Sequence, residues 1–213
     1  VFSSTFWIIS FLPSVVTPLV AQAVGSGIED EVQERVGEAI FIGIILGLIG
    51  TLFLGNFPGM ALSTVLPSDA PALKYAQPYL SIRALTFIPS ILSTVGFSCF
   101  RGSMDVVTPL KISLLSNLVN VMLDPFFIFR SGMGVAGAAL ATCISEIVGF
   151  FLYSYMLLKK RMMSWSKIFR VPSLSSLKPM LIGGLGVQLR AIALNIAFLA
   201  VTKTTQALDT DGT

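Results

Sequence analysis

Six apolar segments, each long enough to cross a lipid bilayer, constrain the fold of this 213-residue chain more than any other feature of its sequence. A membrane-spanning helix needs about 20 mostly apolar residues. Only 12% of the residues are charged, whereas a soluble domain carries about a quarter. The sequence therefore predicts an all-α membrane protein, a polytopic bundle of about six transmembrane helices, with spans near residues 2–24, 36–57, 78–100, 110–129, 135–158 and 179–201.

The connections between these segments differ in composition. Residues 25–38 are acidic and repeat apolar side chains at helical spacing, which predicts a short surface helix. Residues 58–76 are rich in Pro, Gly and Ser and predict an irregular external loop. Residues 101–109 and 130–134 are short enough to be tight turns.

The basic residues predict the orientation of the chain. Nine Lys and Arg residues lie in alternate connections and two in the others, so the side with nine is predicted to be cytoplasmic. Six of the nine lie without any acid in residues 159–178, namely Lys159, Lys160, Arg161, Lys167, Arg170 and Lys178. This placement argues against a nucleic-acid partner and predicts a cytoplasmic linker between two bundles. With this orientation the first span runs inward, so a preceding outward helix is expected.

The sequence offers no constellation typical of an enzyme. It contains no histidine, no Gly-rich phosphate loop, no zinc-ligand spacing and no nucleophile elbow. The chain is therefore predicted not to be an enzyme and to need no cofactor, and any proton carrier in it must be a carboxylate. Cys99 and Cys143 lie in apolar stretches and are predicted to be buried.

Small residues mark two helix faces. Small side chains let backbones approach closely where no hydrophobic force drives helices together in a membrane. The spacing predicts one packing face with Gly43, Gly47 and Gly50, and a second with Gly134, Ala138, Ala141 and Ser145.

Four ionisable residues stand out as candidates for a position at bilayer depth: Arg83, Asp124, Glu146 and Arg190. An ionisable group at that depth costs roughly 2.5–3.5 kcal/mol and is functional by default. Asp124 ends a stripe at helical spacing on one helix face, formed with Ser113, Asn117 and Asn120. Pro125 follows, and a proline removes a backbone hydrogen bond there. The stripe predicts that Asp124 lines a cavity or a neighbouring helix; the alternative is a buried acid that only ties helices together.

The other three ionisable residues are less distinctive. Glu146 follows Thr142 by one turn, and both can face the polar stripe; alternatively, Glu146 pairs with a basic group nearer the cytoplasm. Arg83 lies close to the external end of its span, so its guanidinium is expected to reach the headgroups. Arg190 lies near the middle of the last span and needs a carboxylate partner.

Three stretches resemble the multidrug and toxic compound extrusion (MATE) transporters, specifically their DinF-like branch. They are Phe100-Arg101-Gly102-Ser103-Met104-Asp105 followed by Thr108-Pro109; Asn120-Val121-Met122-Leu123-Asp124-Pro125; and Gly134-Val135-Ala136-Gly137-Ala138-Ala139-Leu140-Ala141-Thr142. The similarity extends over nearly the whole chain. Met104 is a departure, because the family loop commonly has glycine there.

The resemblance implies two six-helix lobes facing each other across a central cavity. Residues 1–158 then form five helices of an incomplete N-terminal lobe, residues 159–178 the cytoplasmic interlobe linker, and residues 179–213 the truncated first helix of the C-terminal lobe. The family's first helix, with its acidic residue, is not represented.

The resemblance also implies site residues. It places Asp124 in cation or proton coupling, with Asn120 and Thr142 as its hydrogen-bonding partners and a possible Na⁺ at Asp124. Asn117, Glu146 and Arg190 are possible cavity-lining residues.

The function expected from this resemblance is export of drug-like cations or organic acids such as citrate, by H⁺ or Na⁺ antiport through alternating access. The expected partners are the bilayer and a small organic substrate, with the full-length protein acting as a monomer in the plasma membrane or a plastid membrane. Two alternatives are a lipid-linked oligosaccharide flippase of the same superfamily and a non-transporting helical channel or receptor.

Overall fold

A computed structural model describes residues 11–63, 73–168, 172–173, 177–178, 182–190 and 193. The regular secondary structure within these ranges is helical, which confirms the predicted all-α class. The helices are α1 (Phe11–Gly25), α2 (Glu29–Asn56), α3 (Pro58–Ser63), α4 (Leu73–Leu85), α5 (Phe87–Gly102), α6 (Val107–Pro125), α7 (Gly134–Lys159) and α8 (Trp165–Ile168). A π-helix, Phe126–Arg130, extends α6, and residues 182–190 are also helical.

Three of these elements are long and apolar enough to cross a membrane: α2, α7, and α6 with its π-helical extension. The pair α4–α5 makes a fourth if it is counted as one bent span, and α1 is a shorter apolar helix. The predicted first and last spans extend outside the described residues. Helix α6 turns a row of leucines outward, with Leu110 68%, Leu114 70% and Leu118 53% exposed. Such an apolar outer surface suits contact with lipid.

The predicted surface helix over residues 25–38 was wrong, because this segment opens the long helix α2 instead. Val32 and Val36 are buried, and the same face continues without a break into the apolar part of the helix. The acidic residues Glu29, Asp30 and Glu31 occupy the first turn, where negative charge interacts favourably with the helix dipole.

The predicted loop over residues 58–76 is helical in its described parts, while residues 64–72 lie outside the described residues, and the span predicted over 78–100 is bent. Helix α3 and the first residues of α4 occupy both described parts of that loop. The span is broken between Leu85 and Phe87, and its two halves are inclined by 57°. Pro89 explains the position of the break, because proline cannot donate to the carbonyl four residues earlier and its ring clashes with that carbonyl. That carbonyl belongs to Leu85, the last residue of α4.

The core lies where α5 packs against α1, α2 and α7, while α6 packs mainly against α7. The predicted glycine face of α2 is confirmed, since it lies directly against α5. A Cβ atom on Gly43 would lie 3.1 Å from Leu92, one on Gly47 2.9 Å from Ile88, and one on Gly50 2.0 Å from the ring of Phe87. Cys99 and Cys143 are buried as predicted.

The turn between α5 and α6 is closed by a helix cap. Met104 has a positive φ of 60°, and the N–H groups of Met104 and Asp105 donate to the carbonyls of Arg101 and Phe100 at 3.1 and 2.9 Å. This pattern is the Schellman motif, whose left-handed position usually holds glycine. The conformation explains why glycine suits this position better than the methionine found here.

Residues 159–168, which were expected to belong to a linker, pack onto the bundle. Met162, Met163 and Ile168 are buried. Lys167 donates to Asp30 at 3.0 Å, and the side chain of Gln33 donates to the carbonyl of Arg161 at 3.0 Å. Lys160 forms a salt bridge with Asp105. The first half of the predicted linker is therefore attached to α2 and to the α5–α6 turn.

Replacing Asp105 with Asn is expected to lower stability by roughly 0.5–1 kcal/mol, as for other partly exposed ion pairs. Burial acts to raise the pKa of the Asp105 carboxyl, but hydrogen bonds from Lys160 and Thr108 outweigh burial and lower the pKa below its usual value. A carboxyl whose pKa is lowered by folding contributes its full stabilisation at pH values above its ordinary pKa. This stabilisation is lost as the pH falls through the folded-state pKa. Thermal unfolding should therefore show the same difference between wild type and Asp105→Asn at pH 7 and pH 5. A smaller difference between wild type and Asp105→Asn at pH 5 than at pH 7 would contradict the lowered pKa of Asp105.

Candidate functional site

A cleft of about 410 Å³ lies between α5, α6 and α7. Most of its lining side chains carry a hydroxyl or amide group, although the helices that supply them are mainly apolar. Its lining consists of Ser90, Ser93, Thr94 and Phe97 of α5, Ser113, Ser116, Asn117 and Asn120 of α6, and Thr142, Ser145, Glu146, Gly149 and Tyr153 of α7. The cleft is therefore a polar site within a bundle whose outer surface is apolar.

Three members of the predicted α6 stripe, Ser113, Asn117 and Asn120, line this cleft. The amide nitrogen of Asn120 lies 3.5 Å from the hydroxyl of Thr142 on α7, which is at the long end of a hydrogen bond. The Thr142 hydroxyl also donates to the carbonyl of Ala138 at 2.9 Å. The structure thus brings together Asn120 and Thr142.

Asp124 lies one turn beyond Asn120, is half-buried, and is not among the residues that line the cleft. Within the described part of the chain it forms no hydrogen bond or ion pair. The helix does not end at the following proline; from Phe126 to Arg130 it continues as a π-helix. Short π-helical segments occur frequently at functional sites. Asp124 is therefore a carboxylate at a change of helix geometry, close to the Asn120–Thr142 contact.

Arg83 does not reach the headgroups as expected; it is 6% exposed. Its Nη1 atom lies 2.6 Å from Oε2 of Glu146 on α7. The expectation was wrong because α4 begins at Leu73, so Arg83 lies in the last turn of α4, far from the start of that helix. Glu146 both pairs with this basic residue and lines the cleft, so the two interpretations of Glu146 from sequence are compatible.

Arg190, the remaining ionisable residue, is exposed on the helix over residues 182–190 and is not part of this cleft. The predicted packing face of α7 also needs correction. Ser145 lines the cleft, and Gly134 is exposed with a positive φ of 55° at the start of the helix.

The α5 wall of the cleft was missed from the sequence. Ser90, Ser93 and Thr94 recur at helical spacing, and that repeat of hydroxyl groups was the available signal. The hydroxyl groups of Ser93 and Ser116 are buried and have no hydrogen-bond partner among the described residues. These atoms add unused hydrogen-bonding capacity to the cleft.

Comparison with known proteins shows extensive similarity to transporters. The family model MatE matches residues 1–126. Protein DETOXIFICATION 44, chloroplastic, from Arabidopsis thaliana is 34% identical over 149 residues, which are 70% of this chain and 24% of that protein. DNA damage-inducible protein F of Escherichia coli (strain K12) is 26% identical over 203 residues, 94% of this chain and 44% of that protein. The chain thus spans less than half the length of these relatives.

The fold is also that of a solved transporter structure. The crystal structure of MATE in the bent conformation superposes with a TM-score of 0.81 over 93% of this chain and 44% of that chain, at 24% sequence identity. At 24% identity, this similarity shows that the helices of the two proteins are arranged in the same way.

Proposed function

This chain belongs to the MatE family of integral membrane transporters, and on that basis we propose that it forms part of an exporter of small organic molecules driven by inward movement of H⁺ or Na⁺. The observation that carries this proposal is the polar cleft between α5, α6 and α7. A cleft of about 410 Å³ lies within the size range of small-molecule sites. Its hydroxyl and amide groups can form hydrogen bonds with a polar solute, which the apolar outer surface of the bundle cannot bind.

We propose Asp124, Asn120 and Thr142 as the coupling site. Carboxylate, amide and hydroxyl oxygens are the ligands that hard cations prefer, and a carboxylate can alternatively take up a proton. Binding of either cation neutralises Asp124 beside the π-helix. A cation that binds one conformation more tightly than the other shifts the equilibrium between them. Asp124 lies outside the cleft lining, whereas Asn120 and Thr142 belong to it, so the coupling site adjoins the cleft that holds the organic solute.

The organisation of the chain is part of the same proposal. Residues 1–158 form most of one lobe, and residues 179–213 begin a second lobe. The segment between them is cytoplasmic, and its first half, up to Ile168, moves with the first lobe because it is bound to α2 and to Asp105.

Transport assays on the product of the complete gene, reconstituted in liposomes, test the function. Ethidium and citrate efflux should each be followed under an imposed pH gradient and, separately, an imposed Na⁺ gradient. We expect one of the two solutes to move against its gradient, and an ionophore that collapses the driving gradient to stop it. Ion flux without movement of any organic solute would instead favour a channel.

A further inference from the structure

Glu146 places a negative charge in the wall of the cleft, and a residue outside the cleft compensates this charge. Among the described residues that line the cleft it is the only one with a formal charge. One carboxylate oxygen lies 2.6 Å from Nη1 of Arg83, and the other accepts a hydrogen bond from Ser90 at 3.2 Å. Arg83 itself is buried and does not belong to the lining. The cleft wall therefore carries a carboxylate whose charge is compensated outside the cleft.

The pair also lies at the break in the bent span. Arg83 is near the end of α4, Ser90 is in the first turn of α5, and Glu146 is on α7. The contacts of Glu146 thus hold both halves of the broken helix against the same wall of the cleft. Arg83, which acts on the cleft through Glu146, is a positioning residue.

We propose that the Arg83–Glu146 pair determines the charge selectivity of the cleft. With both partners present, the wall is neutral and a solute is held mainly by hydroxyl and amide groups. Without Arg83, Glu146 gives the cleft a negative charge that attracts cationic solutes. Without Glu146, the guanidinium of Arg83 gives it a positive charge that attracts anionic solutes. The inference rests on the proposed function only in assuming that this cleft holds the solute.

The size of the effect follows from the low dielectric of the site. A unit charge within several ångströms of a bound ion, at an effective dielectric constant of about 20, changes affinity by roughly tenfold or more. The two single substitutions act with opposite signs, and a purely structural defect would instead weaken both kinds of solute together. The sign of the change therefore separates a selectivity role from a merely structural one.

The test uses two permanently charged probes that share a phenyl ring, phenyltrimethylammonium and benzenesulfonate. Their binding should be measured by equilibrium dialysis at pH 7 on the purified product of the complete gene in nanodiscs, for wild type, Arg83→Gln, Glu146→Gln and the double variant. Relative to wild type, we expect Arg83→Gln to favour the cation over the anion by at least about tenfold. Glu146→Gln should favour the anion by a similar factor, and the double variant should resemble wild type.

Changes of the same sign for both probes in both single variants, or no change in their ratio, would overturn the proposal. Removing one partner of a buried pair leaves an uncompensated charge and is strongly destabilising, so a single variant that does not fold is replaced by the double variant. The double variant keeps the cleft wall neutral, so binding of both probes within threefold of wild type is the expected result, and a tenfold change in their ratio contradicts the proposal. Binding is measured without an ion gradient and so does not depend on transport. If the two single variants shift the probe preference in opposite directions but the protein does not transport, only the proposed function is refuted.

Discussion

Asp124→Asn is expected to abolish gradient-driven efflux while the protein still folds and inserts into the membrane. Asparagine keeps the shape of the side chain and removes its charge and its ability to take up a proton. Asp124 is half-buried and has no hydrogen-bond partner among the described residues, so little packing should be lost. The Asn120–Thr142 contact one turn away should persist, but a cation would no longer find a carboxylate beside it.

Efflux from proteoliposomes under imposed pH or Na⁺ gradients is the measurement for Asp124. The matched control is Asp30→Asn, the same chemical change at a carboxylate that is 72% exposed and paired with Lys167. The control should retain coupled transport, because exposed ion pairs contribute about 0–1 kcal/mol. Coupled efflux at the wild-type rate in Asp124→Asn would show that Asp124 is a structural residue and that the coupling site is elsewhere.

Gly50→Leu is expected to disrupt the packing of α2 against α5. Even a Cβ atom at this position would lie 2.0 Å from the ring of Phe87, and Phe87 is fully buried. The ring cannot move without displacing its neighbours, so the helices must separate. Overpacking of a core costs about 1–3 kcal/mol and sometimes more, and we expect a leucine at position 50 to reach the upper part of that range.

Gly55→Leu is the matched control, because Gly55 lies on the same helix and a Cβ atom there would meet nothing within 4 Å. Leucine is a better helix former than glycine, so this variant should unfold at the wild-type temperature or slightly above it. Thermal unfolding of the two variants, each purified from the complete gene in the same detergent, provides the comparison. Equal unfolding temperatures for both would contradict the close approach of α2 and α5.

The polar stripe on α6 illustrates how far the sequence could predict the site. Ser113, Asn117 and Asn120 were placed on one face because the helical repeat alone decides which residues share a face. The prediction that this face meets Thr142 followed from the shortness of the connection to α7. The α5 wall was missed because a repeat of uncharged hydroxyl side chains in an apolar helix does not by itself indicate a functional site.

What the sequence determined by itself depends on properties of one segment at a time. Segment length and apolarity specified helices that cross a bilayer, and small residues at helical spacing specified the face of α2 that meets α5. Only the tertiary structure decided which residues meet across helices. The break beside Pro89 and the pairing of Arg83 with Glu146 depend on how α4 and α5 lie against α7. A buried charge in an apolar bundle must be compensated, but several carboxylates satisfy that need in the sequence, and only the packing of the helices selects one of them.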